Sequence, residues 1–183
     1  AFEKTLFAIK NNPTQKARDY LASRGIDIQQ LPKQSYWYDA LSNAIVFIDA
    51  ENQLINRRII KPKLSEPKAK NQGTLNESIY DKLFKPEADS VFIHEGIINA
   101  LSMSEKSSIA LFSTENKLKN TEVLRPYLEG KHVVLAMDYD GAGNKCASYY
   151  HDFILANRFN ICSLRRLVFP ENKDANDLLQ EGK

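Results

Sequence analysis

From residue 91 onward, short apolar runs alternate with segments in which apolar residues recur every three or four positions. The runs predict buried strands, and the three-to-four spacing predicts helices. The predicted strands are 91–94, 109–112, 133–137 and 162–168. The predicted helices are 97–103, 121–128, 143–154 and a last one that begins at 175–179. This alternation predicts an α/β fold, with a mainly parallel sheet covered by helices on both faces.

The N-terminal part predicts a helix followed by a hairpin. The helix is expected to begin at Thr14, whose hydroxyl can cap it, and to end at Gly25. Two apolar runs, 44–48 and 54–60, flank a polar turn and predict a β-hairpin. The aromatic cluster at 36–38 is expected to pack in a core rather than to stack on bases.

The segment 61–78 differs from both parts because it is rich in lysine, proline and small polar residues. We expect a mobile basic loop or linker there. The boundary between two units is expected near its end. The predicted domains are therefore a small α+β subdomain over 1–88 and an α/β domain over 89–183.

The amino-acid composition restricts the cellular environment of the protein more than it restricts its function. The net charge is only +2, so a polyanion partner would have to bind a local basic patch. Cys146 and Cys162 stand apart from each other and from any histidine cluster, which argues against a zinc site or a disulfide scaffold. No apolar run approaches the ~20 residues needed to cross a bilayer. We expect a reduced, cytoplasmic setting and no membrane partner.

Three acidic sites each follow a predicted strand. They are Glu95, the Asp138-x-Asp140 pair and Asp174. Carboxyl ends of parallel strands meet at one edge of a sheet, where ligands bind. Two side-by-side carboxylates repel each other, and a divalent cation removes that conflict. Mg²⁺ uses one or two protein carboxylates and completes its shell with water and phosphates.

The glycines that follow the pair, Gly141 and Gly143, let a phosphate approach the backbone before the helix begins. Each motif also has an ordinary interpretation, since Asp-x-Asp-Gly after a strand is often a turn with a helix cap. The order and spacing of all three motifs favour a functional site.

These residues resemble the Toprim domain shared by primases, topoisomerases and some nucleases. The matching stretches are VFIHEGIINALS at 91–102, VVLAMDYDGAGNK at 133–145 and KDANDLL at 173–179. The last two resemble primases more than topoisomerases. A weaker resemblance to the start of a primase catalytic core covers 17–26 and the basic strand at 56–60. Similar Toprim proteins occur on mobile elements.

The resemblance implies a DNA primase that joins nucleotides on a single-stranded DNA template with Mg²⁺ or Mn²⁺. It implies that Asp138 and Asp140 bind the metal and that Asp174 is an outer or second-metal ligand. Glu95 is then a general acid/base or a further metal ligand. The implied partners are single-stranded DNA, nucleoside triphosphates, and a helicase or another replication protein.

Basic residues form the expected nucleic-acid side of the site. A dense cluster on and after the hairpin is interpreted either as a phosphate-tracking groove or as a solvated surface. Two further lysines stand beside the acidic motifs and are interpreted either as phosphate contacts or as exposed side chains. The candidates are Arg57, Arg58, Lys61, Lys63, Lys145 and Lys173.

Two departures from the family pattern leave alternatives open. The family usually has Asp where this chain has Asn99, and often has Asp where it has Asn176. Both changes remove a carboxylate and put metal affinity in question. A catalytically degenerate module that binds nucleic acid or a partner, and a Toprim nuclease, are therefore alternatives to a primase. A haloacid-dehalogenase-like phosphohydrolase is disfavoured because Ala142 replaces the Thr or Val of its motif.

Overall fold

The N-terminal half contains an antiparallel sheet. The computed structural model describes residues 1–182. Adjacent strands pair antiparallel throughout, in the order β1-β2-β3-β4. The predicted hairpin is confirmed as β2 and β3. The strands are β1 (Trp37–Asp39), β2 (Ala44–Ile48), β3 (Leu54–Ile59) and β4 (Ala69–Gly73).

Two helices accompany this sheet, α1 (Phe2–Lys10) and α2 (Gln15–Ser23). The predicted end of α2 is confirmed, since Gly25 has a φ of +74°. The predicted cap by Thr14 is wrong, because its side chain makes no capping hydrogen bond. Thr14 has φ −100° and ψ 4°, rather than the extended backbone that aims a capping hydroxyl at the first turn.

The prediction of a loop over 61–78 is wrong in part. Residues 69–73 form β4, which pairs with β3 from Arg58↔Ala69 to Leu54↔Gly73. A short 3₁₀ helix, Leu75–Glu77, follows it. β4 lies at the sheet edge and is mostly exposed, so its sequence carries no apolar alternation by which to recognise a strand.

The C-terminal half contains the predicted parallel sheet, with strands in the order β6-β5-β7-β8. The predicted strands and helices are confirmed, with small differences at their ends. The strands are β5 (Ser90–His94), β6 (Ser108–Ala110), β7 (His132–Leu135) and β8 (Ser163–Arg166). The helices are α3 (Ile97–Ser102), α4 (Thr121–Leu128), α5 (Gly141–Ala156) and α6 (Ala175–Gln180).

Both faces of this sheet are covered, as alternate residues of β5 demonstrate. Val91 and Ile93 pack in a core with residues of α4 and α5. Phe92 points the other way and packs with Ala175 and Leu178 of the α6 region. The α/β fold class is therefore confirmed.

A shared core joins the two sheets. Phe47 of β2 contacts Tyr80 edge-on, and Tyr80 contacts Phe112, which lies just beyond β6. The Tyr80 hydroxyl donates to the Ser35 carbonyl oxygen at 2.6 Å. Trp37 and Tyr38 are buried, as expected of core aromatics. The division at residue 88 stays a prediction of domain organisation. Within residues 1–182, the helices all fall short of the length and apolarity that crossing a membrane requires.

Candidate active site between the two sheets

The predicted acidic residues meet at the carboxyl ends of the parallel strands. Glu95 directly follows β5, and Asp138 lies three residues beyond the end of β7. Asp174 is the N-cap of α6. All three line one cavity of about 240 Å³. The structure therefore brings together three of the four acidic residues predicted as metal ligands, in the crevice that the topology predicts.

Glu95 is the most perturbed carboxyl group of this cavity. It is 9% exposed, and its Oε2 is buried without a hydrogen-bond partner among residues 1–182. Burial raises its pKa to about 9, and the neighbouring carboxylates Asp138 and Asp140 add to the shift. In the absence of a cation Glu95 therefore holds its proton at neutral pH.

Asp138 is hydrogen-bonded by Asn99, the first of the two residues that depart from the family pattern. Asn99 Nδ2 donates to Asp138 Oδ1 at 2.7 Å. Burial raises the pKa of Asp138, the hydrogen bond with Glu95 opposes that rise, and the negative charges of Asp174, Asp140 and Asp177 raise the pKa further. An amide at position 99 orients Asp138 without adding a further negative charge.

The loop that carries Asp138 and Asp140 is fixed by the start of α5. Asp140 is the N-cap of this helix and accepts a hydrogen bond from Gly143 N at 2.7 Å. A Cβ at position 143 would lie 2.1 Å from the Asp138 carbonyl oxygen, so only glycine fits. No atom lies within 4 Å of a Cβ built on Gly141. Arg166 supports the loop from β8, donating to the Asp138 carbonyl oxygen at 3.4 Å and to Asn144 Oδ1 at 2.6 Å.

Asp140 lies at a second cleft, of about 220 Å³, which shares Asp138 and Asp174 with the first. Asp174 and Asp177 form a reciprocal capping box at the start of α6. Lys173 also lines this cleft, where its ammonium group pairs with Glu181. Lys173 therefore lies beside the carboxylates, as predicted.

A divalent cation fits the chemistry of these ligands. They are hard carboxylate oxygens, and the buried Glu95 Oε2 lacks a partner. Within residues 1–182, no group of three or more His, Cys, Asp or Glu side chains is arranged to hold a metal unaided. Mg²⁺ does not need three protein ligands, because water and substrate phosphates complete its coordination shell. The assignment of Glu95, Asp138, Asp140 and Asp174 as ligands stays a prediction.

The two hairpin arginines lie on opposite faces of the first sheet. Arg58 lines the acidic cavity together with its strand neighbour Asn56. Arg57 pairs with Asp39 on the far face, with Nε 2.7 Å from Oδ2. Burial raises the pKa of Asp39, but the hydrogen bonds from Arg57, Ser42 and the Leu41 N–H together outweigh burial and lower the pKa. The structure thus gives Arg57 an internal partner, and its nucleic-acid contact stays a prediction.

The remaining predicted lysines lie outside the acidic cavity. Lys61 lines a neighbouring cavity of about 680 Å³ between α2, the hairpin and α6. Lys63 and Lys145 are exposed on the surface. Their contacts with nucleic acid stay predictions.

Arg24 is the charged residue of this cavity that was not among the predicted site residues. It lies at the end of α2 and lines both the acidic cavity and the neighbouring one. Its Nε is buried and has no hydrogen-bond partner among residues 1–182. The weak resemblance of 17–26 to a primase core was its only signal, since no motif chemistry marks a helix-ending arginine.

Asn176, the second departure from the family pattern, has a structural partner outside the metal site. Its Nδ2 donates to the Arg24 carbonyl oxygen at 2.8 Å and to Ser102 Oγ at 2.9 Å. The carboxylate expected at this position could not donate either bond.

Comparison with known proteins shows the fold and gives a family-profile match in the C-terminal half. Residues 92–179 match the Toprim-like family profile. The Aquifex aeolicus primase structure, with zinc-binding and RNA polymerase domains, is 17% identical with a TM-score of 0.69. The primase fragment of the bacteriophage T7 primase-helicase is 19% identical with a TM-score of 0.64. A DnaG primase catalytic domain bound to single-stranded DNA is 16% identical with a TM-score of 0.66. No curated protein sequence matches this chain.

Residues 92–179 of this chain are therefore similar to the Toprim-like family. The overall fold of the chain is that of DnaG-type primase catalytic cores from bacteria and phage. The aligned regions cover 98%, 88% and 93% of this chain for the Aquifex, T7 and DNA-bound structures. They cover 56%, 68% and 71% of those chains, so this chain spans little more than half of the Aquifex fragment.

Proposed function

We propose that this chain is the catalytic core of a DNA primase, which synthesises RNA primers on single-stranded DNA with Mg²⁺ or Mn²⁺. The observation that carries the proposal is the charge arrangement of the acidic cavity. The carboxyl groups of Glu95, Asp138 and Asp174 line it on one side, and Arg24 and Arg58 line it on the other. A nucleoside triphosphate with its metal needs both kinds of group.

Different residues of the chain have different proposed roles in nucleotidyl transfer. Arg24 and Arg58 bind triphosphate oxygens, and Asp138 and Asp140 hold the metal with Asp174 as an outer ligand. Mg²⁺, when bound, stabilises the charge that develops on the transferred phosphoryl and leaving oxygens. A cation at the site would favour the ionised form of Glu95, which loses the proton it holds in the metal-free protein. The ionised Glu95 is then the proposed acceptor for the proton of the attacking 3′-hydroxyl.

The fold neighbours support the partners proposed for this chain. One is a DnaG domain bound to single-stranded DNA, and another is a fragment of a primase-helicase. We propose single-stranded DNA and nucleoside triphosphates as ligands, and a helicase or another replication protein as partner. The two free cysteines, Cys146 and Cys162, support a reduced cytoplasmic setting.

A primer-synthesis assay tests the proposal directly. Labelled nucleoside triphosphates are incubated with single-stranded templates and Mg²⁺ or Mn²⁺, and products are resolved by length. We expect D138N/D140N to abolish metal-dependent synthesis while keeping the fold, since Asn also caps helices well. Asp152→Asn on the exposed surface of α5 is the matched control and retains activity. Equal synthesis by the double variant would remove both residues from the mechanism.

A non-catalytic nucleic-acid-binding module is the second candidate. It is favoured by Asn99, an amide at a position where the family usually has a carboxylate, bonded to Asp138. For such a module, single-stranded DNA binding persists while no product forms with any template or metal. A Toprim nuclease would instead shorten the template in the same assay.

A further inference from the structure

Asn176 connects the N-terminal and C-terminal parts of the chain at the edge of the acidic cavity. It is fully buried in the first turn of α6, and its Nδ2 bonds to the Arg24 carbonyl oxygen across 152 residues of sequence. Carbonyl groups in the last turn of a helix lack partners within that helix. Asn176 satisfies the one at Arg24, and so it links α6 to the end of α2.

A second bond connects the same amide to α3. Asn176 Nδ2 donates to Ser102 Oγ, and the Ser102 hydroxyl donates in turn to the Ile98 carbonyl oxygen at 2.7 Å. Three helices therefore meet at one buried side chain. Gln180 adds a longer, exposed bond to the Ser23 carbonyl oxygen at 3.3 Å.

The backbone of Arg24 is held tightly while its side chain is left unpaired. Its N–H bonds to the Tyr20 and Leu21 carbonyl oxygens, and Gly25 then turns the chain with positive φ. Its guanidinium, with Nε buried, has no hydrogen bond or ion pair among residues 1–182. An unpaired arginine in a cavity that also contains carboxylates is arranged for an anionic ligand rather than for an internal salt bridge.

The short segment 174–176 therefore contributes to both the acidic and the basic side of the cavity. Asp174 contributes a carboxylate to it, and Asn176, two residues later, holds the backbone of the arginine opposite. The amide is required at this point because a carboxylate would face the Arg24 carbonyl oxygen with no proton to donate.

We propose that Asn176 is a positioning residue for triphosphate binding, which fixes Arg24 relative to Asp174 by clamping α6 to the end of α2. The inference rests on the proposed function of the acidic cavity. It assigns to Asn176 a role that acts through Arg24 and not through the metal.

A double-mutant cycle measured by calorimetry with ATP and Mg²⁺ tests this coupling. We expect Arg24→Ala to weaken ATP binding about tenfold, the loss typical of one charge-assisted hydrogen bond. We expect N176D to weaken it to a similar extent. The R24A/N176D double variant should bind no more weakly than R24A, because the clamp acts only through the arginine. Ser102→Ala keeps the bond to Arg24 and should change affinity less than about twofold.

The outcomes separate this inference from the proposed function. If R24A and D138N/D140N both leave ATP binding unchanged, the proposed function of the cavity fails. If they weaken it while N176D has no effect, or while its loss adds fully to that of R24A, the positioning role is overturned. If N176D does not fold, the Asn176 side-chain amide resonance is followed during ATP titration. A shift in wild type that is lost in R24A supports the coupling, and no shift in wild type contradicts it.

Discussion

The two sheets contribute opposite charges to the cavity between them, and they do so by different means. The parallel sheet delivers Glu95 and Asp138 from strand ends, where the topology alone makes them converge. The antiparallel sheet delivers Arg58 from within a strand, where the side on which a residue lies depends on register. Convergence at strand ends is therefore robust to small shifts, whereas a one-residue slip in β3 would exchange Arg58 for Arg57.

The largest expected effect on the acidic side comes from displacing the loop that carries Asp138 and Asp140. Gly143→Ala would place a Cβ 2.1 Å from the Asp138 carbonyl oxygen, so the loop must move. We expect a loss of stability of ~1–3 kcal/mol by thermal unfolding. A displacement of about 1 Å can lower activity a hundredfold, and we expect a fall in primer synthesis of that order.

Gly141→Ala is the matched control for that variant, since nothing lies within 4 Å of its Cβ. It replaces a glycine in the first turn of the same helix, and we expect neutral or slightly higher stability. Similar behaviour of the two glycine variants would show that close packing at Gly143 does not shape the loop.

The basic side is tested by its two neighbouring arginines. We expect Arg58→Ala to weaken single-stranded DNA or ATP binding about tenfold and to reduce the salt dependence of DNA binding. Arg57→Ala instead leaves the buried Asp39 without its partner, and we expect it to lower stability by ~1–3 kcal/mol. Its loss of binding should be smaller than that of Arg58→Ala. Calorimetry measures the binding of both variants, and thermal unfolding measures their stability. A larger loss of binding in Arg57→Ala than in Arg58→Ala would mean that Arg57 is the ligand-binding residue.

The charge balance within the acidic side is tested at Asn99. Asn99→Asp removes the donor to Asp138 and adds a further negative charge beside it. We expect a metal-free stability lower by ~1–2 kcal/mol and a larger gain in Tm on adding Mg²⁺ than in wild type. Asn99→Ala removes the donor without adding charge, so it should lack the extra gain. An equal response to Mg²⁺ in all three proteins would argue against a cation at Asp138.

A further prediction concerns the dependence of stability on pH. The pKa of Glu95 is raised from 4.5 to about 9, so the folded protein binds more protons than the unfolded chain between those values. The stability contributed by protonated Glu95 is therefore full below pH 4.5 and is lost as pH rises through about 9. Glu95→Gln cannot ionise, so its Tm should exceed that of wild type increasingly from pH 5 to pH 9. About 2–4 °C is expected for each kcal/mol gained. A pH-independent difference would contradict the raised pKa.

The sequence predicted the parallel sheet well because its strands are buried on both faces and read as continuous apolar runs. The positions of Glu95 and Asp138 followed from the ends of those runs. β4 was missed because it is an exposed edge strand whose polar residues have no pattern. The different placements of Arg57 and Arg58 could not be predicted, since both faces of β3 are covered and each carries an arginine.

The basic side of the cavity was harder to predict for a further reason. Arg24 and Asn176 act through contacts between the two ends of the chain, which local pattern does not encode. The expectation that Asn176 marks only a lost carboxylate missed its two hydrogen bonds.

The central claim is that Asp138 and Asp140 hold a divalent cation together with a nucleotide. Mn²⁺ is titrated by calorimetry into wild type and D138N/D140N, first alone and then with ATP present. We predict binding in wild type that is strengthened by ATP, because the phosphates complete the metal shell, and no such binding in the double variant. Identical titrations of the two proteins, with and without ATP, would contradict the claim.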